Sequence, residues 1–271
     1  MTAIGNPRGV LRGDPAEGRF AHDRRAPAPD IAGYIEHFWR VAWEVTGPPV
    51  VREVLSHPSV HIVIERGRSA VAGVPRGRFV RRLEGQGEVF GIKFRPGAFR
   101  PLAAGAVSRL TDRTVPLDEL LPGAAALEAG VLAAAEFDAR IAAATVFLRG
   151  ALPPRDPVVD QVAAVVQRIL DDREIRRVDD VARLVGGSPR ALQRLFSEYV
   201  GVSPKWVIRR YRLHDAIERM DAGDVVDWSS LALELGYFDQ AHFIRDFKSL
   251  VGRTPGDYGL GGSRPAPRAP R

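Results

Sequence analysis

Arg190, Gln193, Arg194 and Ser197 stand at i, i+3, i+4 and i+7, the spacing that puts four side chains on one face of an α-helix. The chemistry that suits such a set is the reading of base edges. Arg donates two parallel hydrogen bonds to guanine O6 and N7, and Gln pairs in the same two-point way with adenine N6 and N7. Further along, Gln240, Ala241, Arg245 and Lys248 present a second face of this kind. Ala241 has no hydrogen-bonding group, so its contact would be apolar, with a thymine methyl. From Arg183 to Arg212 there are seven basic residues and one acidic residue, Glu198. Arg209 and Arg210 lie in that stretch and are candidates for phosphate contacts.

Taken singly, such residues would be solvated helix surface. The elements around them argue otherwise, because they occur twice. At an offset of 50, Ala182 matches Ala232 and Gly186 matches Gly236. One residue is then inserted, and at an offset of 51 Arg194 matches Arg245, Phe196 matches Phe247, Val200 matches Val251, Gly201 matches Gly252 and Pro204 matches Pro255. Seven identities at two adjacent offsets make a repeat. Each copy reads as helix, glycine turn, capped helix. Gly186 and Gly236 supply the turn. Ser188 and Asp239 are the caps, and Pro189 fits the first helical position. Leu192, Leu195, Phe196 and Tyr199 form the buried stripe of the first second-helix, and Phe243, Phe247 and Leu250 that of the second. This is the pattern of a helix-turn-helix, whose second helix enters the major groove. Between the copies a helix is expected over roughly 205–221, about 25 Å long. Two reading helices could then sit about one DNA turn apart, roughly 34 Å. Trp206, Trp228, Tyr237 and Phe238 read as core or turn packing, and His214 and His242 as surface or interface residues.

Composition narrows the alternatives. The chain has 271 residues, 45% hydrophobic, with a net charge of +6. The charge is not concentrated in the helical half: residues 157–260 carry 15 basic and 16 acidic residues, so a local patch must carry any argument for DNA. Cysteine is absent, which removes disulfides, cysteine-ligated metals and thiol nucleophiles. No apolar run approaches the 18 residues of a membrane span, and no signal-like h-region follows the N-terminal charges; a cytoplasmic location is the expectation.

The chain changes texture near Pro153. Before it, short alternating segments such as Val60-His61-Ile62-Val63-Ile64 and Val89-Phe90-Gly91-Ile92-Lys93-Phe94 are separated by Gly and Pro, the pattern of a small antiparallel sheet or barrel. Residues 118–149 are Ala-rich and helical in character. The fold expected is therefore α+β in two domains. A flexible arm covers 1–29. A β-rich, barrel-like sensor or dimerisation domain with trailing helices covers 30–152. An all-α domain with two helix-turn-helix motifs on a linker helix covers 157–260, and a disordered tail covers 261–271. Trp39, Trp43, His61, Phe90 and Phe94 fill the barrel or line a ligand pocket in it. His57 and His61 invite a metal reading. On a strand, however, their spacing of four leaves them roughly 13 Å apart, and no His-x-His pair or carboxylate cluster supports a site. Neither a cofactor nor a nucleophile–base–acid set is expected.

The segments VDDVARLVGGSPRALQRLFSEYVGVSPKWVIRRYRL and SLALELGYFDQAHFIRDFKSLVGRTPGDY resemble the AraC family of bacterial transcription regulators over about residues 157–258. The resemblance implies base-facing roles for Arg190, Gln193 and Arg194 on the first recognition helix, and for Gln240, Ala241 and Arg245 on the second. HPSVHIVIE, GIKFRPGAFRPL and LTDRTVPLDEL resemble the less characterised β-rich domain found ahead of some of these regulators. The expectation is a sequence-specific DNA-binding regulator, not an enzyme, with double-stranded DNA as partner. The resemblance further implies a small-molecule effector, contact with RNA polymerase, pairing as a homodimer, and activation more often than repression. The alternatives weighed are a metal-dependent barrel enzyme and a ligand-independent assembly protein bound to DNA.

Overall fold

A computed structural model describes residues 9–11, 18–154, 156–222 and 227–260. The N-terminal region is a six-stranded antiparallel sheet in the order β1-β2-β5-β3-β4-β6. Its strands are β1 (Gly18–Arg25), β2 (Ile35–Val54), β3 (His61–Ile64), β4 (Ala70–Ala72), β5 (Phe79–Phe94) and β6 (Thr114–Pro116). The barrel-like expectation takes the form of an open sheet with β1 and β6 at its two edges. The arm expected over 1–29 needs correction: residues 18–25 pair with β2 from Gly18↔Val45 to Arg25↔Phe38, and Val10 bridges Val54. Its Gly, Pro and Arg content hid a strand whose partner lies about twenty residues later. Residues 1–8 and 12–17, and the tail 261–271, lie outside the described residues.

Two long strands, β2 and β5, form the spine. Their ladder slips between Val45 and Val50, where Gly47-Pro48-Pro49 cannot sustain regular pairing. One face of the spine carries Phe38, Phe90, Ile92 and Phe94. It packs on helices α1 (Leu117–Leu120), α2 (Ala124–Ala133) and α3 (Phe137–Ala151) through Leu127, Val131, Ile141, Ala144 and Leu148. The other face carries Trp39, Val41, Trp43, Val63 and Val89. The indoles of Trp39 and Trp43 lie over Gly91 and Gly87. A Cβ at Gly91 would sit 1.9 Å from the Trp39 ring and one at Gly87 2.2 Å from the Trp43 ring. Only glycine permits this approach.

The C-terminal region holds α4 (Pro157–Asp171), α5 (Val178–Leu184), α6 (Pro189–Tyr199), α7 (Pro204–Asp221), α8 (Trp228–Glu234), α9 (Gln240–Val251) and α10 (Pro255–Leu260). The sheet and the first helix-turn-helix share one core, which runs from Phe38 and Ile92 through Val162 and Phe196 to Val207 and Tyr211. A second core surrounds α8 to α10 and draws in Leu213, Ala216, Ile217 and Met220 from the later part of α7, with Leu11 and Leu55 from the sheet region. The linker helix thus has its first half in one core and its second half in the other. Arg212 joins α7 to α4. It is 1% exposed and donates to the carbonyls of Ile169, Asp172 and Ile175 at 2.6–3.2 Å. These include carbonyls the end of α4 leaves without helical partners, and Asp215 balances the charge at 3.1 Å. Among the described residues no helix is long and apolar enough to cross a membrane.

Candidate nucleic-acid interface

Both recognition helices begin on a local signal. The Ser188 hydroxyl accepts from the Ala191 N–H at 3.2 Å, and the Asp239 carboxylate accepts from the His242 N–H at 2.6 Å. Each cap satisfies a donor that the first turn leaves free. The matched glycines Gly186 and Gly236 take φ of 64° and 79°. That left-handed conformation ends the preceding helix sharply at no steric cost. Phe196 and Phe247 are both fully buried, as are Val200 and Val251. Among the matched positions, Arg194 and Arg245 are the pair whose side chains are exposed. The repeat therefore preserves a scaffold and one outward-facing cation.

Arg190, Gln193, Arg194 and Ser197 are exposed along α6, and Gln240, Ala241, Arg245 and Lys248 along α9. Two of these faces are not wholly free. The Ser197 hydroxyl lies 3.1 Å from that of Ser108, in a 3₁₀ turn over Val107–Leu110 of the sheet region. The neighbouring Glu198 takes Arg100 at 2.6 Å, and Thr111 donates to the Gly201 carbonyl at 2.6 Å. The C-terminal end of α6 is thereby seated on the sheet region, while its N-terminal turns stay open. On α9 the Gln240 carbonyl oxygen accepts from the Ser229 hydroxyl at 3.0 Å, which ties the start of α9 to the start of α8 and leaves the amide N–H₂ outward.

Arg210 does not belong with the phosphate contacts. It is 1% exposed, stacked 4.4 Å over the Trp206 ring, and donates to the carbonyls of Arg76 and Gly77 at 2.7 and 3.0 Å. Burial lowers its pKa to about 9, still well above neutrality. The loop that covers it lies more than 130 residues away in sequence. Arg209 is half-buried and pairs with Asp246, its Nε donating at 2.8 Å. Asp246 also accepts from the Tyr237 hydroxyl at 2.7 Å. That carboxylate is consequently an internal counterion of the second unit and takes no charge from its outer face. Of the aromatics read as packing, Tyr237 is buried and Trp206 and Trp228 are half-buried, but Phe238 is 88% exposed. His214 is buried at the seam between α7 and the sheet region, 4.5 Å from the His57 ring.

The five residues expected at a ligand pocket divide between the two faces of the sheet. His61 pairs across β5 with Lys93, and Trp39 with Gly91, so Trp39, Trp43 and His61 share one face. Phe90 and Phe94 point the other way, Phe90 stacked on Phe38 and Phe94 edge-on to Phe99 at 5.0 Å. They are core. Trp39 donates to His61 Nδ1 at 3.1 Å. Burial, with Lys93 close by, lowers the His61 pKa to about 3. His57 turns away from His61 to meet His214 and Tyr211, and among the described residues no three His, Asp or Glu side chains are placed to hold a metal ion. A cleft of about 590 Å³ opens between β5, the β3–β4 turn and α2–α3. Trp43, Phe90 and Leu132 supply its apolar wall, and Arg66, Arg81 and Arg82 its basic rim.

Residues 181–259 match a family model described as a helix-turn-helix domain, and residues 23–116 match one described as a domain of unknown function, DUF6597. The chain is 33% identical over 99 residues to the HTH-type transcriptional regulator GlxA of Rhizobium meliloti (strain 1021), across 36% of this chain and 28% of that protein. It is 29% identical over 108 residues to the probable transcription factor PqrA of Proteus vulgaris, across 40% of this chain and 88% of that protein. The solved structure of a probable AraC family transcriptional regulator from Rhodopseudomonas palustris CGA009 aligns at 26% identity and a TM-score of 0.33, covering 41% of this chain and 100% of that one. The chain spans less than a third of the length of the first curated relatives it matches.

Proposed function

We propose that this chain, whose residues 181–259 match a helix-turn-helix domain, is an AraC-type transcription regulator that lays α6 and α9 into two successive major grooves of one duplex. The observation that carries the reading is the pair Arg194 and Arg245, exposed at the same step of two capped helices. Arg190, Gln193 and Arg194 read bases from α6, and Gln240, Ala241 and Arg245 from α9, with Lys248 facing phosphate. At 18 residues the linker helix is about 27 Å long, of the same order as the roughly 34 Å between successive turns of the groove. The two faces differ in side chains, so the site they read has two unlike halves.

The sheet region takes a small-molecule effector in the cleft beside Trp43. Its Arg81 stacks 5.0 Å over the Trp43 ring and pairs with Glu65 at 2.6 Å. Because the sheet and α6 share one core, a ligand that moves β5 against α2 changes how α6 is held. This supports effector control by the sheet and needs no separate signalling element.

The test is binding of full-length protein to an enriched duplex and to a scrambled one across a range of salt concentrations. Arg194→Ala should lose about 1–3 kcal/mol on the enriched duplex and little on the scrambled one. Equal loss on both would assign Arg194 to phosphate and remove the base-reading role.

A further inference from the structure

Phe238 is the most exposed large apolar side chain among the described residues, at 88%. Its surroundings make that exposure deliberate. Tyr237 before it is anchored in the second core, its N–H donating to the Ala232 carbonyl at 2.9 Å and its hydroxyl to Asp246. Asp239 after it is fixed as the helix cap. The backbone is therefore pinned on both sides, and the ring stands out from the start of α9 as a rigid knob. A hydrophobic residue just before a cap often folds back onto the helix's first turn as a staple. Here Phe243, the partner such a staple would use, is wholly buried elsewhere, and Phe238 is left facing water.

The place of the knob says what it meets. The N-terminal residues of a recognition helix are the ones that approach base edges. In the first unit the Gly187 N–H donates to the Ala182 carbonyl as the Tyr237 N–H does to that of Ala232, so Phe238 is the inserted residue and the knob belongs to the second unit alone. That unit is also the one with little polar reading capacity near its start. Ala241 is apolar, and the Gln240 oxygen is engaged by Ser229, which leaves its amide N–H₂ as a donor. In the major groove thymine offers an O4 acceptor beside a C5-methyl group, the one apolar feature on any base edge there.

We propose that Phe238, together with Ala241, recognises a thymine methyl in the half-site bound by α9. The inference rests on the DNA-reading proposal above and adds the base it selects. The test uses the full-length chain and a duplex enriched by it from a random pool. The α9 half-site is identified as the block whose selection relaxes in Arg245→Ala. Each thymine of that block is then replaced by deoxyuridine, which removes only the methyl group. For the wild-type chain, at least one replacement should weaken binding by about four-fold, the equivalent of one buried methyl-sized group. Phe238→Ala should bind the unmodified duplex more weakly and be insensitive to that replacement, and Phe238→Leu should recover part of the sensitivity. The inference is overturned if the block contains no thymine, or if Phe238→Ala binds like wild type and both lose equally with deoxyuridine. In the latter case another residue reads the methyl group and the knob makes no contact with it. If the chain enriches no sequence at all, the DNA-reading proposal itself fails and this inference falls with it.

Discussion

The two helix-turn-helix units are copies of one motif put to different uses. Their interiors agree closely: the same left-handed glycines, the same buried Phe and Val, and a side-chain cap on each second helix. Their surroundings do not. The first unit continues the core of the sheet region and has the end of α6 clamped by Ser108, Arg100 and Thr111. The second has its own core, to which, among the described residues, the sheet region lends Leu11 and Leu55. Their outer faces differ too, with Arg190, Gln193 and Arg194 on one and Phe238, Gln240 and Ala241 on the other. Duplication fixes a scaffold cheaply, and specificity and control then diverge at the few positions the scaffold does not constrain.

The sharpest way to break the comparison is Asp246→Ala. Its counterpart in the first unit is Leu195, so the change has no equivalent there. It leaves the half-buried Arg209 and the buried Tyr237 hydroxyl without their acceptor and should cost about 2–3 kcal/mol, chiefly from the buried hydroxyl left without a partner. Urea denaturation should show that loss, with hydrogen exchange rising in α8 and α9 ahead of α5 and α6. Uniform exchange across both units would mean that the two cores unfold as one.

The reading faces come next. Arg194→Ala should weaken binding to an enriched duplex by about 1–3 kcal/mol. Arg245→Ala should cost less, since the second face adds apolar contacts to its single matched cation. Fluorescence anisotropy of the two variants side by side checks the order, and a larger loss at Arg245 would reverse the assignment of roles.

Acidification tests the first unit's attachment to the sheet. His61 has its pKa lowered to about 3, and His57, at the seam with α7, has its own lowered well below the usual value by burial. Unfolded, both take up a proton near the ordinary histidine value of about 6.5. The stability that their neutral, buried state provides is complete above that pH and is lost as the pH falls from it toward the folded value. Between pH 7 and pH 5 His61 should cost the chain about 1–2 kcal/mol, and His57 adds a loss of the same sign. His57→Phe should flatten the slope in thermal unfolding. An unchanged slope would show that His57 takes up its proton as readily in the folded chain as in the unfolded one, and so is not buried at the seam.

The smallest effects are those of the caps. Ser188→Ala and Asp239→Ala should each cost about 1 kcal/mol. The first should be felt in binding to both halves of a site, through the shared core, and the second in one half alone. Chemical denaturation together with binding to half-site variants separates these outcomes.

What could be read from the residues follows from range. α6 runs from Pro189 to Tyr199 and α9 from Gln240, as expected, because caps, glycine turns and apolar stripes are written within a dozen residues. The strand at 18–25 was not legible, since its pairing with β2 owes nothing to its own apolar pattern. Phe94 falls on the face opposite Trp39 and Trp43, because alternation along a strand fixes two faces but not which face meets which across strands. The sequence alone suggests a phosphate contact for Arg210 on α7, because the carbonyls of Arg76 and Gly77 that cover it lie more than 130 residues away. Phe238 looked like packing because its type is usually buried, and only the anchoring of Tyr237 and Asp239 reveals that it points outward.

The most direct measurement is selection of bound duplexes from a random pool by the full-length chain. The account predicts two dissimilar blocks centred about one helical turn apart, roughly 10 base pairs. Arg194→Ala should relax one block and Arg245→Ala the other. Enrichment of a single block, of one block repeated symmetrically, or of no sequence at all would contradict it.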